Sequence, residues 1–167
     1  GLPLFNAEER ERQDLTHYFA PNNPAPVKDW QEAKDYCLWL GKFGNYPVDL
    51  PTEAQWEFAA RNRGQYVQYP TNDGNLDNGK NILQDEKTFV TPVGQFPPTP
   101  LGLYANSPLR NPAGPKSGTQ KVHRGSYYAE ANWMNANSVR RWPENPVSDG
   151  YYPGNSFRCS LQSDQKL

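Results

Sequence analysis

The chain has 167 residues, a formal net charge of −1 and an aromatic content of 13%. This length suits one domain, and we predict a single domain over residues 1–167. The near-neutral charge argues against nonspecific binding of nucleic acid, and no apolar stretch approaches the roughly 20 residues needed to cross a bilayer.

The N-terminal stretch, residues 1–28, is polar and is interrupted by Pro21, Pro24 and Pro26. Proline removes a backbone donor and breaks regular elements, so we expect no long helix or strand here. The one methionine of the chain is the internal Met134. Its position predicts that residues of the full protein precede Gly1.

The first helix is predicted to begin after Asp29. Aspartate is a favourable N-cap, and Glu32 stands three residues further on, at the spacing of a capping box. Gly41 and Gly44 are expected to end the helix. Helical spacing predicts that Ala33, Tyr36, Cys37 and Leu40 form one face of this helix.

The second helix is predicted to begin after Thr52. The Thr52 side chain can cap the helix while Gln55 returns the reciprocal bond. Ala54 and Phe58 then lie on one side of the helix, so we interpret it as part of the scaffold.

Residues 64–91 form a predicted loop that is rich in Asn, Asp and Gly. Such residues favour turns, because Asn and Asp side chains bond to their own backbone and tolerate left-handed geometry. The same oxygen-bearing side chains suit Ca²⁺, which takes roughly six to eight oxygen ligands. The residue pattern leaves both interpretations open.

Three strands are predicted in the second half of the chain, over residues 122–128, 136–142 and 156–161. Residues 143–155 are expected to form a polar loop between the last two strands. Because aliphatic side chains are scarce, we expect aromatic side chains, Trp133 and Trp142 among them, to fill the core.

The chain contains two cysteines, Cys37 and Cys159. Neither belongs to a Cys-x-x-Cys pair, which argues against a zinc site or a thioredoxin-type site. The pattern alone is compatible with two buried thiols or with one disulfide bond.

Several segments occur in an order that resembles one known family. Residues 30–41 (WQEAKDYCLWLG) and 50–62 (LPTEAQWEFAARN) resemble the helical part of the formylglycine-generating enzymes, the sulfatase-modifying-factor family. Four later segments follow in the family's order: 93–104 (VGQFPPTPLGLY), 111–118 (NPAGPKSG), 122–127 (VHRGSY) and 157–159 (FRC).

This resemblance implies an α+β, C-type-lectin-like fold in which two helices pack on a small antiparallel sheet. The family continues from a Gly-Leu-Tyr, like that at residues 102–104, into a Gly-Asn-x-Trp-Glu-Trp segment. That segment is absent near residues 104–105. Either evolution deleted this segment, or the full protein still contains it. Removing buried aromatic residues from so small a domain would be costly, which favours the second explanation.

In this family, formylglycine formation needs two cysteines that bind Cu(I) as thiolates and activate oxygen. The corresponding positions here hold Ala129 and Met134, so we predict that no two-thiolate copper site forms. A related branch uses iron held by three histidines, whereas this chain has two, His17 and His123. We interpret His123 as a structural strand residue and assign no catalytic residue.

The resemblance also implies two stabilising features. Family members of the secretory pathway pair the positions of Cys37 and Cys159 in a disulfide bond, which predicts a periplasmic or extracellular location. Family members also bind Ca²⁺ in the loop described above. The best matches to those calcium ligands are Asn81, the backbone carbonyl of Ile82, and Asp85.

Two functions from different classes follow from the resemblance, and the first is a periplasmic binding module without catalysis. Relatives that lack the copper cysteines occur beside type VI secretion genes, some as regulators, and toxin immunity is another plausible use. The partner would be another protein, either a secreted effector or a component of the secretion system. The residues expected to contact it have the composition of protein-recognition surfaces: Tyr128, Glu130, Arg140, Arg141, Tyr151 and Tyr152.

The second function is that of a non-copper oxidative enzyme. One branch of the family contributes to oxidative maturation of the pyoverdine chromophore and also lacks the copper cysteines. This alternative predicts a pocket lined by Tyr and Trp in which Glu130, Arg140 or Glu144 titrates.

Overall fold

The computed structural model describes residues 20–81, 92–98, 118–125, 137–147 and 155–162. Within these ranges the chain forms two helices and four short strands. The helices are α1 (Trp30–Gly44) and α2 (Glu53–Ala60), and the strands are β1 (Val48–Asp49), β2 (Lys121–His123), β3 (Trp142–Glu144) and β4 (Ser160–Leu161). Neither helix is long and apolar enough to cross a membrane. The predicted α+β class is confirmed.

Helix α1 begins at the predicted cap. The Asp29 carboxylate accepts a hydrogen bond from the backbone N–H of Glu32 at 2.9 Å. The expected reciprocal bond is shifted by one residue, because the Glu32 carboxylate accepts from the backbone N–H of Lys28 at 2.7 Å. The first bond satisfies a backbone donor that the first helical turn leaves without an intrahelical partner, and the second holds the residue before the N-cap.

The C-terminal end of α1 lies beyond the first of the two glycines expected to end it. The helix includes Gly41 and runs to Gly44, after which Asn45 adopts a left-handed conformation with a φ of 56°. A Cβ at Gly41 would lie 2.7 Å from the carbonyl oxygen of Tyr46. Gly41 is therefore required by the close approach of the returning chain rather than by a helix end.

Helix α2 has the complete predicted capping box. The Thr52 hydroxyl accepts from the backbone N–H of Gln55, and the Gln55 side chain accepts from the backbone N–H of Thr52. The side-chain amide of Gln55, which is 5% exposed, also donates to Gln162 at 3.0 Å. One side chain thus caps α2 and joins it to the residue that follows β4.

The described strands pair as two antiparallel ladders. In one, Val48 lies opposite Leu161 and Asp49 lies opposite Ser160. In the other, β2 pairs with β3, and Val122 lies opposite Pro143. These ladders join segments that are far apart in sequence.

The strand predicted over residues 136–142 is misplaced. The Asn137 side chain accepts hydrogen bonds from the backbone N–H groups of Val139, at 3.1 Å, and Arg140, at 2.8 Å. These bonds hold a turn, because Asn competes in this way with regular pairing. The strand forms instead at β3, which begins at the last residue of the predicted strand and continues into the segment that was expected to be a loop.

The described core is built mainly from small side chains. Its buried apolar residues are Val27, Ala33, Cys37, Ala59 and Ala60. Trp142, which was expected in the core, is 39% exposed and lies under the guanidinium group of Arg140, 3.8 Å from the ring centroid. The prediction that Trp142 fills the core is therefore wrong.

A disulfide bond joins Cys37 on α1 to Cys159, just before β4, as the family resemblance implied. The two Cα atoms are 5.5 Å apart and the cysteines are separated by 122 positions. In the chain-entropy model, closing so long a loop stabilises the fold by about 5 kcal/mol. The bond fixes α1 against the last described strand.

Replacing Cys37 and Cys159 together by Ala is expected to lower the free energy of unfolding by about 4–5 kcal/mol, because the unfolded chain regains the entropy that the bond removed. Urea denaturation monitored by Trp fluorescence measures the change. Wild-type protein in reductant should behave like the double variant, and the double variant should not respond to reductant. Equal unfolding midpoints with and without the bond would contradict this prediction.

Candidate functional site

A cleft of about 440 Å³ opens among the first turns of α1 and α2, strand β2 and residues 155–158. Small-molecule sites typically occupy about 300–1,000 Å³, so the cleft has the size of such a site. The aromatic and apolar parts of its wall include Trp30, Leu50, Pro51, Trp56 and Phe157.

Arg124, next to β2, forms one charged wall of this cleft, and its side chain is 5% exposed. One guanidinium nitrogen bonds to the carboxylates of Glu53, at 2.9 Å, and Glu57. A second nitrogen donates to the carbonyl oxygens of Ser138, at 3.4 Å, and Arg140, at 3.2 Å. Arg124 therefore joins α2 to β2 and to the turn before β3.

Glu57 accepts a further hydrogen bond from Arg61 at 3.0 Å. Burial on its own raises the pKa of Glu57, but hydrogen bonds and charges from Arg124 and Arg61 outweigh burial and hold the pKa below its ordinary value. The Nε of Arg124 is buried and has no hydrogen-bond partner in the described part of the chain. The stability of this cluster therefore depends on the Glu57 carboxylate staying ionised.

His123 and Glu144 form a second polar pair in the cleft wall. Nδ1 of His123 lies 3.0 Å from a carboxylate oxygen of Glu144. The side-chain amide of Asn155 donates to the other carboxylate oxygen at 3.5 Å. The ladder places His123 opposite Trp142, so the pair is diagonal across the two strands. Such a pair can hold or pass a proton.

Lys121 begins β2 and also lines the cleft. Its direct cross-strand partner is Glu144, yet the Glu144 carboxylate bonds to His123 instead. The Lys121 ammonium lies 4.3 Å from the centroid of the Trp30 ring. Within the described ranges, no carboxylate lies within ion-pair distance of this ammonium group.

Comparison with known proteins identifies the family. Residues 5–107 match the model of the sulfatase-modifying factor enzyme 1-like domain. This chain belongs to that family. The family assignment confirms the resemblance found in the sequence.

Individual members of the family are similar over longer stretches. The formylglycine-generating enzyme of Streptomyces coelicolor is 29% identical over 189 residues, which cover 93% of this chain and 57% of that enzyme. The protein named inactive C-alpha-formylglycine-generating enzyme 2 of Bos taurus is 40% identical over 92 residues, covering 48% of this chain and 29% of that protein. This chain spans about half the length of the curated relatives it matches most fully.

A solved structure supports the same fold. PvdO from Pseudomonas aeruginosa superimposes with a TM-score of 0.63 at 22% sequence identity, covering 84% of this chain and 62% of that chain. At this level of identity the likeness establishes architecture alone.

The surface predicted to bind a protein partner is described in part. Arg140 stacks on Trp142, and Arg141, which is 62% exposed, donates to the Glu53 carboxylate at 2.7 Å. We call Arg140, Arg141 and Trp142 the rim. The other predicted contacts lie outside the described residues, namely Tyr128, Glu130, Tyr151 and Tyr152.

The described cleft contains few of the residues that were expected to form an oxidative pocket. Of the three residues expected to titrate in an oxidative pocket, Glu144 lines the cleft, Arg140 is not among the lining residues, and Glu130 is outside the described ranges. The copper-cysteine positions, Ala129 and Met134, are also outside them. The cleft is thus assembled mainly from residues that the sequence analysis had not assigned to a site.

Of the three calcium ligands expected in this family, Asn81 is described, whereas Ile82 and Asp85 are not. The Asn81 amide nitrogen donates to oxygens of Asn72 and Asp73, both at 3.2 Å, and of Asn75, at 3.1 Å. Its amide oxygen accepts from the backbone N–H of Asp77 at 2.8 Å. Asn81 therefore cross-links the loop.

His123 was predicted to be a structural strand residue, and Lys121 was not predicted to belong to any site. The contact of His123 with Glu144 and the position of Lys121 over Trp30 both depend on strand register, which places Lys121 opposite Glu144. Alternation along residues 121–123 could have shown that Lys121 and His123 share one face of the strand. No local signal indicated which residues of β3 would face them.

Replacing Glu57 with Gln is expected to flatten the dependence of stability on acid pH. The folded-state pKa of Glu57 lies below its ordinary value of 4.5, so ionised Glu57 stabilises the fold above that pH, and this contribution is lost as pH falls through the folded-state pKa. Urea unfolding between about pH 6 and about pH 3 measures the slope. The control is Asp35→Asn on the exposed side of α1, which should keep the wild-type slope; a wild-type slope in Glu57→Gln would contradict the prediction.

Proposed function

We propose that this chain is a non-catalytic member of the sulfatase-modifying-factor family that acts as a periplasmic binding or regulatory module. The observation that carries the proposal is that its cysteines are paired in a disulfide bond. The sequence holds two cysteines, and one disulfide bond uses both. Residues 1–167 thus offer no pair of thiols for the Cu(I) chemistry that formylglycine formation requires.

Two further observations support this proposal. The chain resembles a bovine relative whose name describes it as inactive, at 40% identity over 92 residues. The disulfide bond favours an oxidising compartment, as the periplasm or the extracellular medium provides. A family member in such a compartment that lacks the copper site still has a rigid scaffold, and residues on its surface can bind another protein.

The described rim supports binding to another protein. Arg140 and Trp142 form a stacked pair, and such pairs present a large, preorganised contact area at low entropic cost. Arg141 is held by Glu53 yet remains 62% exposed. The partner we propose is a secreted effector or a component of a type VI secretion system, which this chain would regulate or neutralise.

The alternative is a non-copper oxidative enzyme of the type that matures the pyoverdine chromophore. The observation that favours it is the cleft, where His123 and Glu144 stand 3.0 Å apart. A proton donor and acceptor in a pocket of about 440 Å³ would suit acid-base steps on a small substrate.

Affinity capture and an activity assay together test the proposal. Immobilised wild type should capture a periplasmic protein that the double variant Arg141→Ala, Trp142→Ala captures at least about tenfold less, because central Arg and Trp contacts dominate such interfaces. Arg63→Ala, which removes an exposed arginine outside the rim, should capture as wild type does.

The activity arm uses a sulfatase-derived cysteine peptide with Cu(I) and oxygen. We expect no formylglycine by mass spectrometry, with or without reductant. Formylglycine production would overturn the non-catalytic proposal. Equal capture by wild type and by the rim variant would overturn the proposed surface.

We also propose that the loop at residues 64–91 binds structural Ca²⁺ through Asn81, the backbone carbonyl of Ile82, and Asp85, with further oxygens from residues 72–75. Oxygens of Asn72, Asp73 and Asn75 converge on the Asn81 amide nitrogen, and oxygen is the ligand that Ca²⁺ prefers. Calcium would have to displace that amide group from its present position. Among the described residues, no group of three or more His, Cys, Asp or Glu side chains could hold a metal, so amide and carbonyl oxygens would supply most ligands.

Calcium is expected to raise the unfolding temperature relative to EDTA, since a ligand that binds only the folded state stabilises it. Differential scanning fluorimetry measures the shift. Asp85→Ala should abolish the response, whereas Asp35→Ala should retain it. Identical unfolding temperatures of the wild type in calcium and in EDTA would rule out the site.

A further inference from the structure

The charges in the cleft wall are unevenly matched. Glu53 bonds to Arg124 and Arg141, and Glu144 bonds to His123 and Asn155. The carboxylate of Asp29 caps α1. Every carboxylate among the described lining residues of the cleft therefore already has a partner.

Lys121 is the exception among the charged groups of the wall. Its ammonium lies over the Trp30 ring, at 4.3 Å from the centroid, and the described residues provide it with no ion pair. In a site shielded from water, the face of an aromatic ring is a weaker partner for an ammonium group than a carboxylate is. The Lys121 ammonium can therefore still form an ion pair with an anion that enters this part of the cleft.

The helix ends do not explain this excess of positive charge. The first turns of α1 and α2 line the cleft, and a helix N-terminus carries partial positive charge. However, Asp29 caps α1 and Glu53 is acidic in the first turn of α2. These carboxylates balance the helix ends. Arg158 also lines the cleft but already has an interaction of its own, so among the described lining residues Lys121 is the cation available to an anion.

The rest of the cleft suits the apolar body of a ligand. Trp30 lies beside Lys121 itself, whereas Trp56, Leu50 and Phe157 form other parts of the wall. Aromatic side chains favour stacked or edge contacts with planar rings. The cleft volume of about 440 Å³ leaves room for one small ring system.

We propose that the cleft binds a small aromatic carboxylate. The carboxylate pairs with the Lys121 ammonium where it lies over Trp30, and the ring system lies against Trp56 and Phe157. A ligand cation is disfavoured, because the carboxylates of the wall are already engaged and Lys121 would repel it. This ligand is separate from the protein partner proposed for the rim, since neither Arg141 nor Trp142 lines the cleft.

Three naphthalene probes of equal ring size test the inference: 2-naphthoate, 2-naphthalenemethanol and 2-naphthylmethylammonium. Isothermal titration calorimetry should show saturable binding of one 2-naphthoate per chain. The neutral alcohol should bind about tenfold more weakly, because it lacks the charge-assisted bond, and the ammonium compound should not bind measurably. Equal affinity for all three probes, or no saturable binding of 2-naphthoate, would overturn the proposal.

Variants at Lys121 separate the ion pair from general hydrophobic binding. Lys121→Gln should weaken 2-naphthoate about tenfold without changing the affinity of the alcohol, and Lys121→Arg should restore most of the loss. Lys80→Gln removes the same charge from the exposed loop, where Lys80 pairs with Asp77, and should have no effect. Unchanged 2-naphthoate affinity in Lys121→Gln would overturn the assignment.

The wild type alone provides a further measurement, which does not depend on the folding of any variant. Added salt should weaken 2-naphthoate binding and leave the alcohol unaffected, because screening acts on the ion pair and not on ring contacts. A salt response that is the same for both probes would count against the ion pair.

Discussion

The disulfide bond between Cys37 and Cys159 constrains both the fold and the chemistry of this protein. It joins α1 to the segment before β4 across 122 positions, in a chain whose described strands are two or three residues long. Strands this short contribute few backbone bonds, so the covalent link carries an unusual share of the long-range order. The same bond uses every sulfur atom of the chain that could act as a thiolate.

Electrostatic contacts supply much of what a large apolar core would otherwise provide. The buried apolar residues in the described ranges are Val, Ala and Cys, which bury little area each. Arg124 compensates by bonding to two carboxylates and two carbonyl groups at once. A guanidinium group can do this because its donors are fixed in a plane and remain charged when buried. In the described part of the chain, directional bonds of this kind join α2 to β2 and fix the geometry of the cleft wall.

The sequence predicted what depends on near neighbours and missed what depends on register. The caps at Asp29 and Thr52 were predictable because each bond spans three residues. The pairing of His123 with Glu144 depends on how β2 and β3 align, and the turn held by Asn137 moved β3 away from its predicted position. The predicted rim was found in part because Arg and Trp are typical of recognition surfaces, whereas the cleft emerged only from tertiary packing.

Glu53 connects the cleft with the rim. Its carboxylate bonds to the buried Arg124 on one side and to the exposed Arg141 on the other. A carboxylate shared between two guanidinium groups cannot move toward one without weakening its bond to the other. A partner that drew Arg141 away would strengthen the hold of Glu53 on Arg124, and with it the packing of α2 against β2. The two surfaces are thus physically coupled through a single side chain, although their proposed ligands differ in size and chemistry.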